Sequence, residues 1–148
     1  MIYKAADSTI NHYQTFASQL EQLGVLSVDY ILCLNSTDLH WQNMAEAIAP
    51  QGKICSIVGN KSPLDLNILK SKSVTFAWEF MFTKAQYQTP DMQSQHELLN
   101  KVSELVEQGI IKTTLHKNLG VLNPHNLAVA HQKLETGTTI GKLVLSGI

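Results

Sequence analysis

Six histidines, two cysteines and one carboxylate, Glu79, inside an apolar run are the groups of this chain whose types invite a chemical reading. Their spacing takes most of it away. His12, His40, His96, His116, His125 and His131 form no H-E-x-x-H, and Cys33 and Cys55 form no C-x-x-C, so the ligand spacings that hold zinc are absent. His125 and His131 fall on different faces of the helix that carries them. Without a G-x-S-x-G elbow a Ser-His-Asp triad has no anchor, and Cys33, set in an apolar stretch, reads as core rather than nucleophile. Neither G-x-G-x-x-G nor G-x-x-x-x-G-K-[ST] occurs among the eight glycines, so the chain has no phosphate cradle. No residue is assigned as catalytic or as a metal ligand.

Position offers more than motif. The segments "STIN" (Ser8 to Asn11), "VDYILCL" (Val28 to Leu34), "KICSIV" (Lys53 to Val58) and "VTFAWEFMF" (Val74 to Phe82) read as strands. Two of them are nearly continuous in apolar residues, as strands are when helices cover both faces of a sheet. Between them Tyr13, Phe16, Leu20 and Leu23 keep helical spacing up to Gly24. Trp41, Met44, Ala45 and Ile48 do so up to "PQG" at Pro50 to Gly52, which ends that helix and turns the chain into the next strand. The alternation predicts right-handed crossovers and a mostly parallel sheet of the α/β doubly wound class. Ligands of such sheets bind beyond the carboxyl ends of the strands. Here those ends are "LNST" with Asn35, Ser36 and Thr37, "VGN" with Gly59, and "WEF" at Trp78 to Phe80 if that strand runs parallel to the others. The same residue types also build ordinary turns.

After Phe82, Thr89 as N-cap and Pro90 at the first position predict a long helix ending at Gly109. Met92, Leu98, Leu99, Val102, Leu105 and Val106 form its apolar face. A strand "KTTLHKNLG", a helix capped by Asn123 with Pro124 behind it, and a last strand "GKLVLSG" follow. The 148 residues are enough for one ordinary domain with a core. A net charge of -1 without a basic stripe excludes nucleic acid as a partner class. The apolar runs are far shorter than the roughly 20 residues of a membrane span, and no signal segment opens the chain. A soluble protein of a reducing cytoplasm is expected.

Taken together, "VDYILCLNSTDLHWQNMAEAIAPQGKICSIV", "SKSVTFAWEFMFT", "YQTPDM" and "TIGKLVLSGI" resemble the C-terminal part of zinc-type alcohol dehydrogenase-like proteins. These form part of the quinone oxidoreductase branch of the medium-chain dehydrogenase/reductase superfamily. The resemblance implies a partial Rossmann-like domain over residues 1–110, lacking its first strand and Gly-rich loop. Residues 111–148 would then be C-terminal elements of a GroES-like catalytic domain, with exposed apolar strand edges. It implies NADP as cofactor, bound weakly or not at all by this chain alone, and a small-molecule substrate in the full-length protein, with zinc not expected in this chain. It carries cofactor contacts over to Asn35 and Ser36, to Ser56, Ile57, Val58 and Gly59, and to Phe76, Ala77 and Trp78. It also implies a homodimer through the Val74 to Phe82 edge strand. The other expectation is a freestanding α/β dimerisation module without cofactor. Glu79, flanked by apolar residues, is expected to be held by a hydrogen bond near the crevice or the subunit edge.

Overall fold

A computed structural model describes residues 6–147. The chain divides into two compact units, 1–86 and 87–148. The long helix after Phe82 falls in the second unit.

The first unit carries α1 (Phe16–Gln22), β1 (Val28–Cys33), α2 (Thr37–Ala47), β2 (Ile48–Ser56), α3 (Asn67–Lys70) and β3 (Thr75–Trp78). The helix α4 (Thr83–Tyr87) lies at the border between the units. The strands pair in the order β1-β2-β3, all parallel. Ile31, Ile54 and Phe76 stand side by side across the sheet, as do Leu32, Cys55 and Ala77 one residue on. The first row faces the core, where Cys33, Trp41, Met44, Ala45, Ile48, Ile54 and Leu69 are buried together. Met44, Ile48, Ile54 and Leu69 each contribute about 1.5–3 kcal/mol by this burial. Trp41, Met44 and Ala45 are the helical stripe read from the sequence, and they fix α2 on this face.

The opposite face differs from the expectation of helices on both sides. Tyr30 is 75% exposed and Leu32 61%, so among the described residues nothing covers the side of β1 that its apolar composition leads one to expect buried. "STIN" forms no strand. The backbone N–H and C=O of Asn11 are taken by the Gln19 side chain at 2.7 and 3.0 Å, and that carbonyl also accepts from Gln14 N–H at 3.1 Å. Backbone groups satisfied in this way are no longer available to a ladder.

Two strand boundaries also moved. β2 begins at Ile48, directly after α2, so "PQG" lies within the strand as a bulge. Val28 pairs with Ile48 and Tyr30 with Lys53, Gln51 takes a φ of 62°, and its N–H donates to the Lys72 carbonyl at 2.6 Å. β3 stops at Trp78 instead of Phe82. Its partner β2 ends opposite at Ser56, whose carbonyl accepts Glu79 N–H at 2.9 Å. The Phe80 and Phe82 carbonyls accept from Thr83 and Gln86 N–H in turns leading into α4.

The second unit holds α5 (Gln93–Glu107), β4 (Leu115–Val121), α6 (Pro124–Glu135) and β5 (Lys142–Ser146). α5 starts later than its expected cap, because the Thr89 hydroxyl donates to the Asp91 carboxylate at 2.7 Å instead of capping. It ends as expected before Gly109, whose φ of 70° suits glycine. The N-terminal part of its apolar stripe is exposed, Leu99 to 68%, while Leu105 and Val106 are half-buried. α6 is capped as read, with the Asn123 side chain accepting Asn126 N–H at 2.8 Å and Pro124 in the first turn. β4 and β5 form a two-stranded parallel sheet in which Leu115, Val121 and Val144 are exposed, as the sequence led us to expect of these strands.

Candidate functional site

β1, β2 and β3 finish level with one another: Cys33 lies beside Ser56, and Ser56 beside Trp78. Parallel pairing therefore brings three chain crossings to one edge of the sheet, the place where this class of sheet binds ligands. Of the nine residues singled out in the sequence, six line this edge. Asn35 is exposed, and Ser36 is half-buried with a left-handed φ of 52° and no side-chain cap bond into α2. Ile57, Val58 and Gly59 follow β2. A side chain built at Gly59 would meet nothing within 4 Å, which leaves open space in front of the backbone there. Trp78 closes the row, half exposed, with its ring edge-on to Phe76 at 5.1 Å.

The other three are placed differently. Phe76 packs edge-on against Trp41 at 5.3 Å as part of the core. Ala77 is exposed in the row of Leu32 and Cys55 on the uncovered face of the sheet. Ser56 is 0% exposed, and so is Thr37, so neither hydroxyl reaches the crevice surface. Their oxygens lie 2.7 Å apart, and the Thr37 hydroxyl also donates to the Val58 carbonyl at 2.5 Å. Glu79 is exposed just past the end of β3, and its carboxylate makes no hydrogen bond among the described residues. It directly follows Trp78, which closes the row of strand ends.

Two ties hold the loops of this edge. Ile57 N–H donates to the Cys33 carbonyl at 3.2 Å, and the Cys33 thiol to the Asn35 carbonyl at 3.3 Å. Asp38, in the first turn of α2, accepts from Lys61 N–H at 2.9 Å and Ser62 N–H at 3.3 Å. A carboxylate at a helix N-terminus is favourable, and it makes this terminus a poor phosphate site. Asp38 was not read as functional; its acidic type in a first turn was the available signal.

Below the edge, Lys72 donates to the carbonyls of Ala45, Glu46 and Ile48 at 2.9, 2.9 and 2.7 Å. It thereby closes the C-terminus of α2 and fixes the entry into β2. His40 sits on α2 against Phe16, with ring centroids 5.4 Å apart, and 5.6 Å from His12. Burial, and secondarily the charge of His12, lower its pKa from 6.5, and its Nδ1 is buried without a partner among the described residues. Among those residues no three His, Cys, Asp or Glu side chains gather as a metal group, both cysteines are free, and no helix is long and apolar enough to cross a membrane.

The geometry defines an α/β protein with parallel sheets that match part of a Rossmann-like domain. Residues 5–145 match the family model described as zinc-binding dehydrogenase, and the chain belongs to that family, within the medium-chain dehydrogenase/reductase superfamily. It is 42% identical over 141 residues to a zinc-type alcohol dehydrogenase-like protein of Staphylococcus aureus strain MSSA476, covering 95% of this chain and 42% of that protein. A solved structure from Rhizobium etli CFN 42, assigned as a zinc-dependent alcohol dehydrogenase protein, superposes with a TM-score of 0.85 at 38% identity, over 97% of this chain and 42% of that one. A quinone oxidoreductase of Pseudomonas syringae pv. Tomato DC3000 shares the fold, with a TM-score of 0.60 at 18% identity over 90% of this chain and 40% of that one. The chain thus spans about two-fifths of the length of the relatives it matches.

Proposed function

We propose that this chain is the nicotinamide-side part of the cofactor domain of a longer NADP-dependent oxidoreductase acting on a quinone, enal or related carbonyl substrate. The observation that carries this reading is the level ending of three parallel strands at an edge where Gly59 leaves open space in front of the backbone. Family membership supports a nicotinamide cofactor. The residues present fit one half of it. Ile57 and Trp78 offer exposed apolar surface for a flat ring, while the Asp38 carboxylate at the N-terminus of α2 disfavours a pyrophosphate there. When bound, the cofactor supplies the hydride; this chain's part is to orient the ring and exclude water.

On this reading the chain alone is inactive, and it works in the reducing cytoplasm where both thiols stay free. The test is to express it with and without the N-terminal part of the Staphylococcus aureus relative that it does not match. NADPH oxidation with 1,4-benzoquinone is then followed by absorbance. Turnover is expected only in the combination; equal turnover by the chain alone would overturn the reading.

A second reading concerns assembly and rests on a separate observation. Among the described residues β3 pairs only with β2, and Trp78 at its C-terminal end and Phe80, Met81 and Phe82 just after it are all exposed. An open edge strand beside an aromatic patch suits pairing with a second copy of the same strand. Light scattering is expected to give a dimer that Phe80→Asp with Phe82→Asp converts to monomer. A monomeric parent chain would refute it.

A further inference from the structure

Ser56 and Thr37 stand at the crevice yet are buried completely, which calls for a role other than ligand contact. Ser56 ends β2 and Thr37 begins α2, so their pairing joins the two loops that line the edge. Counting protons fixes the direction of their bonds. Each hydroxyl has one hydrogen to give. The Val58 carbonyl lies 2.5 Å from the Thr37 oxygen and 3.3 Å from that of Ser56, so the Thr37 hydrogen takes the shorter contact and Ser56 donates across the 2.7 Å contact to Thr37 Oγ1. The Ser56 oxygen then accepts Val58 N–H at 3.4 Å. The bonds close a ring, from Val58 N–H through Ser56 and Thr37 back to Val58 C=O. The Cys33 thiol adds a contact of 3.9 Å to Thr37 Oγ1 while donating to the Asn35 carbonyl.

Both polar groups of Val58 are thereby turned inward. The neighbouring Ile57 carbonyl and Gly59 N–H, on the other sides of the same two peptide units, make none of the loop backbone bonds among the described residues.

We propose that Thr37 and Ser56 are positioning residues: a buried pair of hydroxyls that locks the Val58 peptide and so sets the polar groups of residues 57 and 59 for the bound cofactor. The proposal rests on the nicotinamide-side reading given above. It also assigns Ser56 a role different from direct contact with the ligand. A closed ring of this kind loses more than one bond when one hydroxyl goes, because the remaining partners stay buried and unsatisfied. A threonine at 37 is retained in shape but not in bonding by valine, whereas serine keeps the bonding and loses one methyl.

The test uses the whole chain with Thr37→Val, Ser56→Ala and Thr37→Ser, titrated with reduced nicotinamide mononucleotide and followed by amide NMR. Thr37→Val and Ser56→Ala are each expected to weaken binding about tenfold, equivalent to about 1.4 kcal/mol. Thr37→Ser is expected to stay within about twofold of the parent. Undiminished binding by Thr37→Val, or equal losses in Thr37→Ser and Thr37→Val, overturns the proposal.

Exchange of the Val58 amide separates this result from the cofactor reading. If the parent chain gives no response to the mononucleotide, that reading fails. The clasp is then judged by exchange alone: about tenfold faster exchange at Val58 in Thr37→Val supports it, and unchanged exchange overturns it.

Discussion

Replacing Lys72 with methionine keeps the aliphatic stem and removes an ammonium whose three hydrogens all have acceptors. The carbonyls of Ala45, Glu46 and Ile48 lie 2.7 to 2.9 Å from Nζ, and the bonds to Ala45 and Ile48 are partly buried. The carbonyls of Ala45 and Glu46 belong to the last turn of α2, where intrahelical partners run out. Charge-assisted bonds contribute about 1.5–3 kcal/mol, and a cation at a helix C-terminus adds about 0.3–1 kcal/mol. Water can reach the exposed Glu46 carbonyl and offset part of the loss, so the expected cost is about 2 kcal/mol. Trp41 and Trp78 both lie in the first unit, so tryptophan fluorescence during urea unfolding reports its stability directly. With a urea slope of about 1–3 kcal/mol per M, the midpoint should fall by about 1 M. The direct contacts should make this loss persist in about 1 M salt. A loss below about 0.5 kcal/mol would refute the argument that one side chain closes this helix end and sets the β2 entry.

Two further outcomes follow from named contacts. Because burial and the neighbouring His12 lower the pKa of His40 from 6.5, the unfolded chain takes up a proton that the folded chain resists as pH drops. Stability is therefore fullest above pH 6.5 and falls as the pH drops below that value toward the lower folded-state pKa. His40→Gln should flatten the change in urea midpoint between about pH 7.5 and 5.5, and an unaltered slope would count against the assignment. In the second unit, Asn123→Ala removes the bond to Asn126 N–H and should cost about 1 kcal/mol, read by circular dichroism of the helix signal. No change would show that Pro124 alone fixes the start of α6.

Much of the fold was legible where one local rule sufficed. The stripe Trp41, Met44 and Ala45 gave α2, Gly24 and Gly109 marked helix ends at φ values of 76° and 70°, and Asn123 with Pro124 gave the start of α6. What escaped depended on partners distant in sequence. Alternation alone continued β3 to Phe82, but a strand ends where its neighbour does, and β2 ends at Ser56. "PQG" read as a helix stop because Pro50 and Gly52 break helices, yet it is a bulge held by the Lys72 carbonyl. At the crevice the residue types were legible and their burial was not. Ser56 and Thr37 look like any strand-end hydroxyls until their burial against Val58 is known, and Phe76 and Ala77 take opposite faces of the sheet.

The central claim is that the three strand ends form the nicotinamide side of a cofactor crevice and contain no site for the adenosine end. Amide NMR of the whole chain, titrated at millimolar concentration with reduced nicotinamide mononucleotide and separately with adenosine 2′,5′-bisphosphate, tests it most directly. The account predicts shifts at Asn35, Ser36, Ile57, Val58 and Gly59 with the mononucleotide and none there with the bisphosphate. Shifts at those residues with the bisphosphate, or none with the mononucleotide, would contradict it.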